Sequence, residues 1–165
     1  MAILRAVGIG LALAHFGLIG CGDSLPEELF SEAEQAASES ASHEQAIQHF
    51  THFLERFATH ELAPQALKRL AMIAQQQGDM RKAIAHYQRL LLEYAKCDQA
   101  DEAQFMIAFI YEEYIKDLDQ AREAYQRVID NYPDSELAVS AQWLLPNVGR
   151  NPEEWVEFQN GTHLR

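Results

Sequence analysis

Apolar side chains recur along this chain at a helical spacing, in three stretches that resemble one another. From Ala46 to Phe57, an alanine, an aromatic, an aliphatic and a second aromatic residue stand at i, i+4, i+8 and i+11, which is one face of an α-helix. The same order returns 37 residues later from Ala83 and another 38 residues later from Ala121. The pattern predicts three amphipathic helices within an internal repeat. The aligned positions are Ala46, Ala83 and Ala121; Phe50, Tyr87 and Tyr125; Leu54, Leu91 and Ile129; and Phe57, Tyr94 and Tyr132.

A second set of helices is predicted between these three, and we call it the A set and the first three the B set. Two further alanine positions recur at the same offsets and mark the A helices: Ala63, Ala100 and Ala138, then Ala66, Ala103 and Ala141. The expected A helices are Pro26 to Ser40, Pro64 to Gln77, Asp101 to Ile115, and Ser135 to Leu145 before Pro146, since proline cannot continue a helix. The residues Ser42, Asp79 and Asp117 are the expected N-caps of the B helices.

A helix pair punctuated by alanine and aromatic residues at this period resembles the tetratricopeptide repeat, whose period is about 34 residues. The turn between repeats is longer here, as in residues 132–138. That longer turn is similar to the repeats of BamD-type envelope lipoproteins and of the C-terminal domain of YbgF/CpoB-type proteins. The resemblance covers roughly residues 26–145. It implies an all-α solenoid of about three helix pairs plus a C-terminal capping helix.

The first twenty residues have the organisation of a targeting signal. Met1 to Arg5 carries one positive charge, and Ala6 to Gly17 is apolar but too short for a spanning helix. The next four residues, Leu18 to Cys21, resemble the lipobox of a bacterial lipoprotein. The resemblance implies removal of residues 1–20 and lipidation of Cys21. The alternative is an ordinary secretory signal that ends by chance in a cysteine.

The lipobox interpretation predicts both the segments of the chain and the cellular location of the protein. Residues 21–25 would be the lipidated N-terminus and a short linker, 26–145 the repeat domain, and 146–165 a tail. Gly22 stands where lipoproteins retained in the inner membrane of enteric bacteria carry aspartate, so the resemblance implies the periplasmic side of the outer membrane. In the tail, Asn151 and Pro152 are typical of a helix start, and Trp155 and Phe158 share a face. We expect this short helix to cover the last repeat, the alternative being a partner-docking motif.

The charge balance excludes several classes of partner. With 13 basic and 25 acidic residues, the formal charge of the chain is −12. Nucleic-acid binding needs basic side chains opposite phosphates, so no nucleic acid is expected. A polybasic membrane patch is excluded likewise, which leaves the lipid anchor as the only expected membrane contact. Two cysteines are too few for a disulfide framework or a four-cysteine zinc site.

No arrangement of residues typical of catalysis is present. Four histidines lie between His43 and His60, and His49 and His52 could share a helical face as metal ligands. A solvated polar face explains them more simply, and Pro64 stands where a zincin helix needs its second histidine. We expect no enzymatic activity, no cofactor and no metal. A metal-dependent hydrolase or accessory subunit using the His43–His60 segment remains the lesser alternative.

The resemblance also implies a binding surface, because the A helices line the concave groove of tetratricopeptide arrays. Matching the groove positions by register gives a surface of aromatic residues and a methionine with a rim of carboxylates. Such a groove suits a partner segment that carries apolar and basic residues. The alternative for Phe105 and Trp143 is packing between helices. The carried-over positions are Lys68, Met72, Gln75, Gln76, Glu102, Phe105, Phe109, Glu112, Glu113 and Trp143.

These observations predict a non-enzymatic scaffold that is anchored by lipid in the cell envelope and binds partner proteins in its groove. By resemblance to BamD-type proteins, the expected setting is outer-membrane protein assembly. A periplasmic scaffold of wall–envelope coordination is the alternative within the same class. A cytosolic adaptor with a chance N-terminus is the third hypothesis.

Overall fold

The computed structural model describes residues 25–38 and 42–150, and within these two ranges all regular structure is helical. The signal, the lipobox and the tail helix lie outside the described residues. The α-helices are α1 (Pro26–Ala37), α2 (His43–Arg56), α3 (Ala63–Gln76), α4 (Met80–Glu93), α5 (Ala100–Ile110), α6 (Leu118–Asn131) and α7 (Glu136–Leu144). A π-helical turn, Tyr111–Ile115, follows α5, and a 3-10 turn, Leu145–Asn147, follows α7. No helix in this part of the chain is long and apolar enough to cross a membrane.

The helices pack in the order in which they occur along the chain. The pairs α1–α2, α3–α4 and α5–α6 are the most extensive contacts, and α2–α3, α4–α5 and α6–α7 join each pair to the next element. This is a solenoid of three A–B pairs closed by an A-type helix, so the predicted fold is confirmed.

The repeated apolar positions form the core. Ala46, Ala83 and Ala121 are fully buried, because a small side chain at the contact lets the facing helix approach closely. The aromatic position one turn later is equally buried, with at most 1% of Phe50, Tyr87 or Tyr125 exposed. The third and fourth positions of the stripe are less enclosed: Leu54 is buried, whereas Leu91, Ile129 and the aromatics Phe57, Tyr94 and Tyr132 are half-buried against the core.

All three predicted N-cap residues begin their B helices, and two of them make a side-chain capping bond. Asp79 accepts a hydrogen bond from the backbone N–H of Lys82 at 3.0 Å, and Asp117 accepts one from that of Gln120 at 3.1 Å. These bonds satisfy backbone donors that have no partner within the helix. Ser42 also occupies the N-cap position of α2, as predicted, but its side chain makes no capping hydrogen bond to that helix.

The third A helix departs most from its prediction. The sequence predicted one helix from Asp101 to Ile115, but the α-helix ends at Ile110 and the next five residues form the π turn. In the preceding repeat the cap Asp79 stands 13 positions after Ala66, whereas in this repeat Asp117 stands 14 positions after Ala103. A π turn takes up one additional residue without breaking the helix, so it accommodates this longer spacing.

The other A-helix boundaries differ from prediction by a few residues. The first A helix ends at Ala37 rather than Ser40, the second is displaced by one residue, and the last is shorter by one residue at each end. Helix ends fray, and the terminal turn depends on contacts that periodicity does not contain.

Polar contacts also repeat from one helix pair to the next. Arg69 of α3 donates from Nε and Nη2 to the two carboxylate oxygens of Glu34 in α1, each at 2.6 Å. Lys68 of α3 pairs with Glu102 of α5. These contacts join successive A helices, which places the A helices side by side along one surface of the solenoid.

Candidate partner-binding surface

The apolar residues predicted for the groove lie on the A helices and remain accessible. Met72 on α3 and Phe105 and Phe109 on α5 are half-buried, and Trp143 on α7 is 49% exposed. The Phe105 ring packs edge-on against the buried Tyr125, with centroids 5.4 Å apart. Phe105 therefore rests on the core and still contributes accessible surface, so the interpretation as interhelical packing holds only in part.

An aromatic residue that the sequence analysis did not select completes this surface. Tyr114 lies in the π turn, is 55% exposed, and meets Phe109 edge-to-face with centroids 6.0 Å apart. The longer spacing of the third repeat was the available signal, since an additional residue must displace a side chain somewhere in that turn.

Glu112 was predicted on the acidic rim, and that placement is wrong. Its side chain is buried, with 7% exposed, and accepts hydrogen bonds from the Tyr125 hydroxyl at 3.0 Å and the Gly149 N–H at 3.1 Å. The equivalent residue of the preceding repeat, Gln75, accepts a bond from the Tyr87 hydroxyl at 3.0 Å. This position therefore faces the paired B helix, where a hydrogen-bond acceptor meets a buried phenol.

These contacts keep both phenols protonated. Burial, together with the charge of Glu102, raises the pKa of Tyr87 to about 12. Burial and the neighbouring Glu112 carboxylate raise the pKa of Tyr125 well above its ordinary value. A phenol held in this way acts as a structural hydrogen-bond donor at neutral pH.

The remaining charges of the predicted surface are paired within the chain. Glu113 is exposed and pairs with Lys116 at 3.3 Å. Lys68 is half-buried and pairs with Glu102. The rim is therefore less acidic than the sequence alone indicated, because its carboxylates already have partners. Gln76 is exposed at the end of α3.

The last described residues close one end of this surface. Val148 is buried, and its carbonyl accepts a hydrogen bond from Arg122 of α6 at 3.3 Å. Gly149 has a φ of +82°, and a Cβ there would lie 2.5 Å from a methyl carbon of Leu118. The chain thus turns tightly over the junction of α5 and α6, where Glu112 holds the Gly149 N–H.

Two of the four clustered histidines, His49 of α2 and His60 of the turn after it, face carboxylates of α1. His49 lies 3.9 Å from Glu32, and His60 Nε2 lies 3.5 Å from Glu27. His60 also accepts a hydrogen bond from the Leu62 N–H at 3.2 Å. In residues 25–38 and 42–150, no group of three or more histidine, cysteine, aspartate or glutamate side chains is placed to hold a metal ion.

Cys97 lies in the turn between α4 and α5, beside a cleft of about 370 Å³. Burial raises the pKa of its thiol. An activated nucleophile needs the opposite shift, because the thiolate is the reactive form. The surroundings of Cys97 therefore do not favour catalysis.

Comparison with known proteins identifies the helix pairs. Residues 65–96 and 102–135 match the family model of the tetratricopeptide repeat. These two segments are similar to tetratricopeptide repeats. They correspond to α3–α4 and α5–α6, whereas the pair α1–α2 lies outside the matches and joins the array through its packing. No curated protein matches the chain.

Tetratricopeptide repeats generally mediate protein–protein interaction and are typically non-catalytic. The repeats of this chain therefore support the role of an interaction scaffold. We call the side chains of Met72 on α3, Phe105 and Phe109 on α5, Tyr114 in the π turn and Trp143 on α7 the A-helix surface.

Proposed function

We propose that this protein is a non-enzymatic scaffold that binds segments of partner proteins on its A-helix surface. The observation that carries the proposal is a tetratricopeptide solenoid whose A helices expose aromatic side chains while its buried residues are almost entirely apolar. Accessible aromatic residues are typical anchors of protein interfaces. Phe109 on α5 is expected to be a main contributor, and Trp143 on α7 extends the surface.

We also propose that the scaffold is lipid-anchored, on the periplasmic side of the outer membrane. The support is the lipobox from Leu18 to Cys21 and the glycine at position 22. Anchors with two or more acyl chains hold a protein stably, whereas one chain is marginal. By resemblance to BamD-type proteins, the partners are envelope proteins engaged in outer-membrane protein assembly.

Site-specific photo-crosslinking in intact cells tests the partner site. A photoreactive amino acid in place of Phe109 should yield a discrete crosslinked product. The same amino acid in place of Leu92, which is 85% exposed on a B helix, is the matched control. Equal products at both positions, or a product at Leu92 alone, would place the partner site elsewhere.

Replacing the lipobox cysteine tests the anchor. Cys21→Ala should leave an unlipidated precursor that is not cut before residue 21, while the wild type partitions with membrane lipoproteins into detergent. Cys97→Ala removes the other thiol of the chain and should leave processing unchanged. If wild type and Cys21→Ala are equally soluble after osmotic release, the chain carries no lipid anchor.

A further inference from the structure

The third repeat differs from the second at the end of its A helix. In the second repeat α3 runs to Gln76, and Gly78 adopts a φ of +79° before the cap. In the third, one more residue is present, the last turn widens to a π turn, and Lys116 takes the equivalent conformation with a φ of +62°. Single π turns are frequent at functional sites, where they redirect a side chain.

The side chain that this turn presents is Tyr114. It lies edge-to-face with Phe109 at an interplanar angle of 71°, yet more than half of it is exposed. Phe109 is only half-buried. The two rings thus form an aromatic corner on the A-helix surface, and the second repeat has glutamines in the equivalent region, Gln75 to Gln77.

The two carboxylates beside this corner already have hydrogen-bond or ion-pair partners within the chain. Glu113 pairs with Lys116 within the π turn, and Glu112 is withdrawn to Tyr125 and Gly149. A partner lysine would have to compete with Lys116 for Glu113. Burying the ammonium group of the partner lysine there would cost desolvation free energy, and no carboxylate without a partner would be available to offset that cost.

We propose that Phe109 and Tyr114 form the anchor site of the A-helix surface, and that this site takes an aliphatic or aromatic side chain from an uncharged segment of a partner protein. The inference rests on the proposed function and names the partner chemistry. Aromatic rings bind apolar side chains because they bury a large apolar area and make edge-to-face contacts with other rings. The tyrosine hydroxyl can also hydrogen-bond to the backbone of the partner. The site is thus expected to select apolar rather than basic side chains of the partner.

A second copy of this chain is a poor occupant of the site. Each chain carries a formal charge of −12. Bringing two such chains together sums like charges across the interface, which opposes self-association. A neutral apolar segment of another protein meets no such repulsion.

Selection from a library of random displayed peptides tests this chemistry. The bait is the full-length protein in detergent, and the recovered peptides are then synthesised and titrated. We expect peptides rich in aromatic and aliphatic residues with little net charge. Their affinity should change less than about threefold between roughly 50 and 200 mM salt, since few ion pairs form on binding.

Variants of the two rings link binding to the site. Tyr114→Ala and Phe109→Ala should each weaken the peptides by about tenfold or more, as expected for an aromatic anchor. Tyr114→Phe, which keeps the ring, should retain most of the affinity, and Leu92→Ala is the matched control for loss of an exposed apolar side chain. Circular dichroism checks that each variant is folded.

Three outcomes would overturn the inference. Enrichment of basic peptides whose binding is lost with salt would show that carboxylates select the partner. Apolar peptides insensitive to Tyr114→Ala and Phe109→Ala would bind elsewhere on the A-helix surface, and both results leave the scaffold proposal intact. Recovery of no binding peptide at all would count against the scaffold proposal as well.

Discussion

A tyrosine hydroxyl on each of two B helices donates to a side chain of the paired A helix. Tyr87 donates to Gln75 and Tyr125 to Glu112, both at 3.0 Å. The rings occupy the aromatic position of the apolar stripe, and their hydroxyls reach an acceptor at the far end of the neighbouring helix. Each buried phenol is satisfied in this way, which a buried polar group requires.

The raised pKa of Tyr87 predicts a loss of stability in alkali. The unfolded phenol loses its proton near pH 10, whereas the folded one holds it to about pH 12. The folded state therefore binds more protons across this window, so stability is present below pH 10 and falls as the pH rises toward 12, by up to about 1.4 kcal/mol per pH unit. Tyr87→Phe should show a shallower alkaline decline in urea unfolding.

The comparison of Tyr87→Phe with the wild type in alkali requires the free energies of unfolding at neutral pH as a reference. There Tyr87→Phe should itself lose about 1 kcal/mol with the hydrogen bond to Gln75. Tyr114→Phe, at an exposed phenol, should leave the neutral value unchanged. Parallel pH profiles for Tyr87→Phe and the wild type would contradict the assignment.

Lys116 adopts a left-handed backbone conformation that only glycine takes without steric cost. Its φ of +62° corresponds to that of Gly78 in the preceding repeat. Side chains in this region cost roughly 1–2 kcal/mol. Lys116 therefore stores strain at the end of the π turn, beside the aromatic corner.

Lys116→Gly should raise the free energy of unfolding by about 0.5–1 kcal/mol, because the relieved strain exceeds the added freedom of the unfolded chain. The exposed pair with Glu113 contributes little to this balance. Lys116→Ala removes the same pair but keeps a Cβ, so it should give no gain. Equal effects of the two substitutions in urea unfolding would show that the conformation is not strained.

At the scale of the helix, close approach depends on the alanine at the first position of each stripe. Ala83 lies on α4 between α3 and α5, and none of its surface is exposed. Its neighbour Ala85 on the same helix is exposed. The helical periodicity places Ala83 in the buried stripe and Ala85 outside it, although the two side chains are identical.

Ala83→Phe should therefore overpack the contact and destabilise the protein by about 1–3 kcal/mol. Ala85→Phe, on the solvated face, should change the free energy of unfolding by no more than about 0.5 kcal/mol. Thermal melts followed by circular dichroism measure both. A melting temperature unaffected by Ala83→Phe would contradict the interhelical contact.

At the scale of the whole molecule, each helix contacts chiefly the helices that precede and follow it along the chain. The pair α1–α2 meets the remainder chiefly through α2 against α3, together with the ion pair of Glu34 and Arg69. An array built in this way has a stability that is close to a sum over repeats and their interfaces. A destabilising substitution at one end is expected to lower the local stability of that end first.

Phe30→Ala tests this locality. The Phe30 ring is buried in α1, with centroids 5.5 Å from both Phe50 and Phe53. Its loss should cost about 3–5 kcal/mol and raise the hydrogen exchange of α1 and α2 before that of α5 and α6. Ser31→Ala on the exposed face is the control. Uniform exchange across the described helices would indicate a single cooperative unit.

The sequence by itself determined the features that arise within one helix or from its repetition. The stripe from Ala46 predicted the fully buried alanine and the aromatic residue one turn after it, because a helix presents every third or fourth residue to the same neighbour. Asp79 and Asp117 were predictable as caps, since their bonds reach only three residues along the chain. The groove register likewise located Phe105, Phe109 and Trp143 on accessible parts of the A helices.

The tertiary structure alone decided the features that depend on two helices at once. Glu112 is buried because the hydroxyl of Tyr125, on another helix, and the N–H of Gly149, 37 residues away, converge on it. The additional residue of the third repeat was countable in the sequence, but a longer loop could have absorbed it as well as a π turn. The π turn packs against α6 and presents Tyr114, and the approach of α3 to α5 pairs Lys68 with Glu102.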